Sequence, residues 1–393
     1  MIVMDIWLAG SKCTGCSSCV LTCPVHAITM KEREDGFFYP DIDRNKCLRC
    51  TQCMKACHVL QEPTFNTPLL CYAAQIKEKR VLIQSTSGGL FFALAQTVLN
   101  EHGVVYGCVY DEDYNALIQR AENVEQLLPM HGSKYVWSDP YKSYPAVKRD
   151  VEEGRIIMYA GLPCQVAGLE RFLKKKYDTL YTMDILCGGA PSPFAFKKYL
   201  ETLTDTDGRK KLDFQFRDKD KFGTGVNCTY YVNGVKHYEN YLENSFYFAF
   251  SSKSRITWRE SCYSCNYKSI RRVSDITIGD YWGVEKYHKS FNPKDGVSVV
   301  LVNTEQGRKL FECVKNTVDF VESKAEYATE RNSLVHDKEE GLVKMPADRG
   351  AFFRTLRSEG WNAADKKFLQ RRKKLLLKLK VARAVKKVIK MFM

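Results

Sequence analysis

Residues 13–24 read CTGCSSCVLTCP and residues 47–58 read CLRCTQCMKACH. Each run places cysteines at i, i+3, i+6 and i+10: Cys13, Cys16, Cys19 and Cys23, then Cys47, Cys50, Cys53 and Cys57. Three thiolates so spaced on a tight loop reach three irons of one 4Fe–4S cube, while the fourth points elsewhere. Structural zinc sites use paired Cys-x-x-Cys hooks, four ligands in all, and have no use for a third and fourth cysteine in each run. The spacing therefore predicts two 4Fe–4S clusters within residues 1–65.

In two-cluster ferredoxins the fourth cysteine of one run ligates the cluster of the other. One cluster is thus assigned to Cys13, Cys16, Cys19 and Cys57, and the other to Cys47, Cys50, Cys53 and Cys23. His58 follows the second run where the first has Pro24. The whole chain has 393 residues and sixteen cysteines, with 45% hydrophobic and 27% charged residues, a soluble balance with room for two or three units. The opening MIVMDIWLAG lacks the basic leader of a secretory signal, and no window offers the ~18 apolar residues of a membrane span. The expected location is the cytoplasm, where clustered cysteines hold metal rather than form disulfides. Of the net charge of +14, twelve Lys or Arg fall between Lys366 and Lys390 with no acid, leaving only +2 elsewhere. A nearly neutral body argues against nucleic acid as a partner.

The cysteine-dense segment closes with the loop-like QEPTFNTP, and strands and helices alternate from about Leu70. Val81–Gln84 reads as a strand, Leu90–Asn100 as a helix stopped by Gly103, and Val104–Val109 as a strand. Arg155–Tyr159 reads as a buried strand, Gln165–Lys176 as a helix and Leu180–Leu186 as a strand. Phe214–Arg217, Val226–Val232 and Asp275–Ile278 have strand-like content.

Four further cysteines stand in loop-like surroundings: Cys164 in GLPCQ, Cys187 in LCGGAPSP, and Cys262 with Cys265 in CYSC. Cys164 and Cys187 each follow an expected strand, where open sheets place functional loops. Four cysteines from three loops suit a third 4Fe–4S cluster, a zinc site, or small buried hydrophobes. Cys71, Cys108, Cys228 and Cys313 read as core residues. Ser85-Thr86-Ser87-Gly88-Gly89 opens an expected helix, whose free N–H groups favour a phosphate; serines and glycines also simply cap and turn chains. Lys134 in GSKY offers a cation for such a phosphate, or a solvated lysine. In DITIGDYWG, residues 275–283, Tyr281 and Trp282 either stack on a flat ring or pack in the core.

Taken in order, STSGGLFFALA, GSKYVWS, GLPCQVAGL, DILCGGAPSP and CYSCNYKSIRRVSDITIGDYWG resemble the family of coenzyme F420 hydrogenase/dehydrogenase β subunits, which are iron–sulfur flavoproteins. The resemblance runs from about Cys13 to Arg349. It implies FAD in the central domain, with Ser85, Ser87, Gly88, Gly89 and Lys134 as cofactor-binding candidates. It implies Cys164, Cys187, Cys262 and Cys265 as ligands of a third 4Fe–4S cluster, and Lys134, Asp280 and Trp282 as catalytic candidates. Two positions depart from the family pattern: Gly188 stands where a histidine follows the cysteine, and Leu162 where threonine stands. The name leaves coenzyme F420 itself open, because bacterial relatives occur beside cell-surface polysaccharide genes and need not use it.

Within Phe368–Met393, residues Leu369, Leu376, Leu379, Val385, Ile389 and Phe392 fall near one helical face among Lys and Arg. Such a basic amphipathic helix suits peripheral contact with the inner face of a membrane, or packing on the body or a partner. The expected fold class is α+β: a two-cluster ferredoxin-type domain (1–65), a mixed α/β FAD and iron–sulfur domain (70–345) and a basic tail (346–393). Three functions fit. One is an oxidoreductase passing electrons between a hydride carrier or electron-transfer protein and a small organic substrate. Another is an electron-transfer subunit docked on a catalytic partner, and a third is a scaffold that retains clusters for structure.

Overall fold

The computed structural model describes residues 6–203, 212–220, 223–225, 227–240, 247, 251, 254–332 and 343–369. The N-terminal cysteine runs fold as two copies of one local design. Short helices Ser18–Leu21 and Gln52–Lys55 each follow a residue in the left-handed conformation, Ser17 at φ 66° and Thr51 at φ 62°. A left-handed residue beside right-handed ones is the backbone pattern of anion-binding nests. Between the copies, β1 (Ile28–Glu32) and β2 (Phe38–Ile42) pair antiparallel, with Ile28 opposite Ile42.

The remaining strands are β3 (Leu70–Ile76), β4 (Val104–Tyr110), β5 (Ala116–Ala121), β6 (Ile157–Gly161), β7 (Leu180–Ile185), β8 (Asn227–Val232), β9 (Val235–Asn240), β10 (Ile276–Asp280), β11 (Ser298–Val302) and β12 (Val318–Glu322). Eight of them form one mixed sheet in the order β12-β3-β11-β10-β7-β6-β4-β5. The middle four, β10, β7, β6 and β4, run parallel, and the flanking pairs are antiparallel. β11 is buried at every position, as a central strand covered on both faces must be. One face is covered by helices Leu90–Asn100 and Glu305–Val314, through Leu94, Val98, Leu310 and Phe311. Helices Ser143–Glu152 and Pro163–Leu173 cover the other, through Tyr144, Val147, Val166 and Leu169. β8 and β9 form a separate hairpin.

Several expectations change. Val81–Gln84 lies in a helix, Lys79–Gln84, with Val81 and Leu82 buried and Ile83 58% exposed; a four-residue apolar run carries no period that separates helix from strand. Phe214–Arg217 is not a strand, because Asp213 at φ 39° and Arg217 at φ 58° break the extension and leave one bridge, Gln215 to Thr229. Of the four cysteines read as core, Cys71 and Cys228 are buried, but Cys313 is exposed and Cys108 lines a cleft. Residues 349–364, placed in the tail on sequence, carry helices Arg349–Glu359 and Trp361–Ala364, whose Phe352, Phe353, Leu356 and Trp361 pack in the body with Phe196, Tyr199 and Tyr247. The amphipathic pattern read over Phe368–Met393, with the membrane contact drawn from it, lies outside the described residues from residue 370 onward, while Phe368 packs against the body. Among the described residues no helix is long and apolar enough to cross a membrane.

Candidate iron–sulfur and cofactor site

The twelve candidate ligand cysteines sort into three cavities. Cys23, Cys47, Cys50 and Cys53 line the first, whose rim includes exposed Cys50 and Leu48. Cys13, Cys16, Cys19 and Cys57 line the second. Cys164, Cys187, Cys262 and Cys265 line the third, brought together by the loops after β6 and β7 and the turn before β10. Among the described residues no three His, Cys, Asp or Glu side chains converge closely enough for a single metal ion. Each set of four thiols instead rings a space.

These spaces stand in series. Cys19 is close enough to Cys53 for the two thiols to act on each other electrostatically, which links the first set to the second. The second and third cavities share Thr14, His58 and Val59 as a wall. Cys13, Leu162 and Cys262 all pack against one buried cluster of Phe37, Tyr39, Trp137 and Ala190, and Ser18 Oγ donates to Gly168 O at 2.8 Å. Thr14 Oγ1 and Tyr267 Oη hold the buried His58 ring, at 2.9 and 2.6 Å, and burial pushes its pKa down to about 4. Burial pushes the thiols the other way, Cys57 and Cys187 to about 12 and Cys265 to about 11. As bare groups they stay protonated; ionised, they need positive charge beside them.

The third cavity in turn shares Leu162, Cys187, Gly189 and Ala190 with a cleft of about 380 Å³ at the C-terminal ends of β6, β7 and β10. That is where parallel sheets place ligands, and the size falls in the usual range for small-molecule pockets. Ser85, Thr86, Ser87 and Gly89 form its rim at the start of helix Leu90–Asn100. Gly88 lies behind them: a Cβ there would fall 2.4 Å from Ala74 O, so only glycine lets the turn sit on β3 and β11. Lys134 also lines the cleft, but its Nζ donates to Pro129 O and His131 O at 2.8 and 2.7 Å, and burial lowers its pKa to about 8. Asp280 lines the cleft and binds Arg217 through both oxygens, at 2.5 and 3.0 Å. Trp282, 37% exposed, lies outside the cleft lining, 5.4 Å from the Arg217 guanidinium, and Tyr281 packs in the core.

Several residues of this site carry no signal in the sequence. Arg217 sits in DFQFRDKD, where a lone basic residue reads as solvated. Buried Lys219 donates to Leu82 O, Ser87 O and Asp295 O at 2.8, 2.6 and 2.7 Å and so fixes the serine turn from beneath. Gln165 shows how two quoted motifs meet: its Nε2 donates to Ser138 O at 2.8 Å, while its Oε1 accepts from Leu162 N–H at 2.9 Å. Gly188 leaves the wall beside Cys187 without a side chain, and Gly189, at φ 152°, lies against the Trp258 ring.

A doubled cysteine fold leading through a further cysteine cavity to a sheet-end cleft has the build of an iron–sulfur protein. Residues 154–326 match the family described as the C terminus of the coenzyme F420 hydrogenase/dehydrogenase beta subunit, and residues 12–60 match the 4Fe-4S dicluster domain. It is 23% identical over 338 residues to the coenzyme F420-dependent sulfite reductase of Methanocaldococcus jannaschii, covering 79% of this chain and 46% of that protein. The chain thus spans just under half the length of that relative. It is also 23% identical over 328 residues to the F subunit of the F(420)H(2) dehydrogenase of Methanosarcina mazei, covering 79% of this chain and 84% of that one. A chain of the F420-reducing NiFe hydrogenase complex from Methanosarcina barkeri superposes with a TM-score of 0.45 at 17% identity, over 65% of this chain and 82% of that one.

Proposed function

We propose that the three cysteine cavities hold three 4Fe–4S clusters, that the cleft holds the flavin of FAD, and that the chain exchanges electrons between a partner protein and a small molecule in the cleft. The observation that carries this reading is the serial arrangement, from exposed Cys50 through the Cys13 set and the Cys164 set to the cleft. The donor sets fit: four cysteines line each space, and left-handed Ser17 and Thr51, which line the second and the first, have the backbone pattern of an anion-binding nest. The cleft fits a flavin nucleotide through its serine–glycine turn at a helix start and its bare Gly188 wall.

When bound, a flavin exchanges hydride pairs for single electrons, and 4Fe–4S clusters relay those electrons one at a time. The chain's own residues position and insulate. Lys219 fixes the serine turn, Gly88 lets it lie against the sheet, and Arg217 holds Asp280 in place on the cleft wall. Lys134 stabilises the loop that closes one side. His58, Trp137 and Tyr267 exclude water between the second and third cavities.

The test is the flavin and iron content of protein purified without oxygen. One flavin with about twelve irons per chain supports the proposal. About eight irons without flavin would remove the cleft and the Cys164 set from it. A second reading, an electron-transfer subunit without a substrate of its own, draws on exposed Cys50 and Leu48 at the outer rim. Turnover by the isolated chain separates the two, since this second reading requires an added partner.

A further inference from the structure

Arg259 is 1% exposed, yet no carboxylate faces it among its hydrogen-bond partners. Its Nε donates to Cys13 O at 2.7 Å, and its Nη2 donates to Phe38 O at 2.8 Å and lies 3.8 Å from Cys13 Sγ. Its Nη1 is buried without a partner. The Tyr39 and Phe37 rings enclose it at 4.2 and 5.2 Å. Asp35, an acid of the same neighbourhood, is bound to Arg349 at 2.7 Å.

Lys268 repeats the pattern on the other side of the same cavity. It is 6% exposed, donates to Cys262 O at 3.0 Å, and lies 4.7 Å from the Trp258 ring. Both cations line the cavity of Cys164, Cys187, Cys262 and Cys265, and among the described residues no Asp or Glu lines it. A buried cation without an anion costs several kcal/mol, so these two require negative charge that the carboxylates do not supply. The groups that can become anionic together here are the four thiols lining this space, and beside Arg259 also Cys13 of the second set, so Lys268 is the cation that faces the inner set alone. A cluster held by four thiolates carries net negative charge and gains another on reduction.

We propose that Arg259 and Lys268 are a built-in counter-charge for the inner cysteine site, raising its reduction potential above that of the outer site of Cys23, Cys47, Cys50 and Cys53. This rests on the three-cluster reading. The outer site is open to water at Cys50, and its basic neighbours Arg44 and Arg49 are exposed, where solvent screens them. At the inner site the cations are dry and fixed, so their effect on an added electron is far larger. An electron entering at Cys50 therefore comes to rest beside the cleft. Arg259 and Lys268 act as positioning residues of charge and touch no substrate.

The test is a redox titration followed by electron paramagnetic resonance on the full, cluster-loaded chain, with Arg259→Met, Lys268→Met and the charge-keeping Arg259→Lys. The inner signal is identified by its loss in Cys265→Ser. Each Met variant is expected to shift the inner cluster's reduced-to-oxidised ratio at fixed potential at least tenfold toward oxidised, about 59 mV for one electron. Arg259→Lys should restore most of that shift, and the outer signal should not move. Unmoved inner potentials at unchanged iron content overturn the proposal, as does an equal shift of the outer signal. Only about eight irons in the unmodified chain would instead overturn the three-cluster reading beneath it. If Arg259→Met fails to fold, Lys268→Met, which lines only the inner cavity, decides the question alone.

Discussion

A methyl group at Gly168 would lie 2.8 Å from Cys16 Cβ and 2.7 Å from Tyr144 Oη, closer than side-chain carbons approach. Gly168→Ala is therefore expected to cost about 1–3 kcal/mol by overpacking and to reduce iron bound by the Cys16 set; thermal unfolding and iron analysis without oxygen check both. His131 supplies a pH prediction. Burial, helped by the Lys134 cation, holds its pKa at about 4, and its Nε2 is buried without a partner. The unfolded histidine, near 6.5, binds more protons than the folded one between these values. Stability is thus complete above about pH 6.5 and falls as pH drops toward 4, by at most about 3 kcal/mol. In His131→Gln that acid loss should flatten, as denaturant unfolding at pH 7 and pH 5 would show. At this scale the cysteines were legible because thiols at metal spacing are rare in any other use. Arg217, Lys219 and Arg259 were not, because burial of a single cation is decided by chain segments far from it.

The element scale is governed by ties between segments that no local pattern reveals. Lys219 joins the helix Lys79–Gln84, the serine turn and the turn at Asp295 through three carbonyls. Lys219→Met leaves them without that donor, and each buried loss is worth about 1–3 kcal/mol. The variant should melt earlier and retain less flavin, measured by the absorbance of flavin released on denaturation. The helix Arg349–Glu359 reaches back to the N-terminal hairpin, with Arg349 bound to Asp35 at 2.7 Å and to Trp258 O at 2.8 Å, and Arg357 to Glu32 at 2.6 Å. Arg349→Met strands buried Asp35 and should cost about 3–5 kcal/mol, whereas Arg357→Met, on a half-exposed pair, should cost less than about 1 kcal/mol. The helix Leu90–Asn100 and the strand Val104–Tyr110 after it were readable because their apolar runs are long enough to declare themselves. Val81–Gln84 was misread because four apolar residues are not.

For the molecule as a whole, the order of the cavities predicts that damage at one end spares the other. Cys53→Ser should remove outer-site iron and slow reduction by an external one-electron donor, while flavin content stays at the level of the unmodified chain. Rapid-mixing absorbance and cofactor analysis would separate these effects; equal loss of flavin would contradict a serial arrangement. The grouping of the first eight cysteines could be read in advance, since it rests on spacing along the chain, whereas that of Cys164, Cys187, Cys262 and Cys265 was implied only by the family resemblance. The antiparallel flank beyond β10 could not be read, because β3 pairs there with β11 and β12, strands far later in the sequence.

That late pairing has a consequence for how the chain is made. The cysteine fold is synthesised early, but β3 finds its neighbours only after residue 322 has been added, and Asp35 finds Arg349 later still. The wall beside Cys13 and Cys16 also comes from later segments, through Trp137, Gly168 and Arg259, and until they are made it stands open to solvent and to oxygen. On the three-cluster reading, an outer cluster can be loaded while the ribosome is still at work, but an inner one must wait until Cys265 has been made.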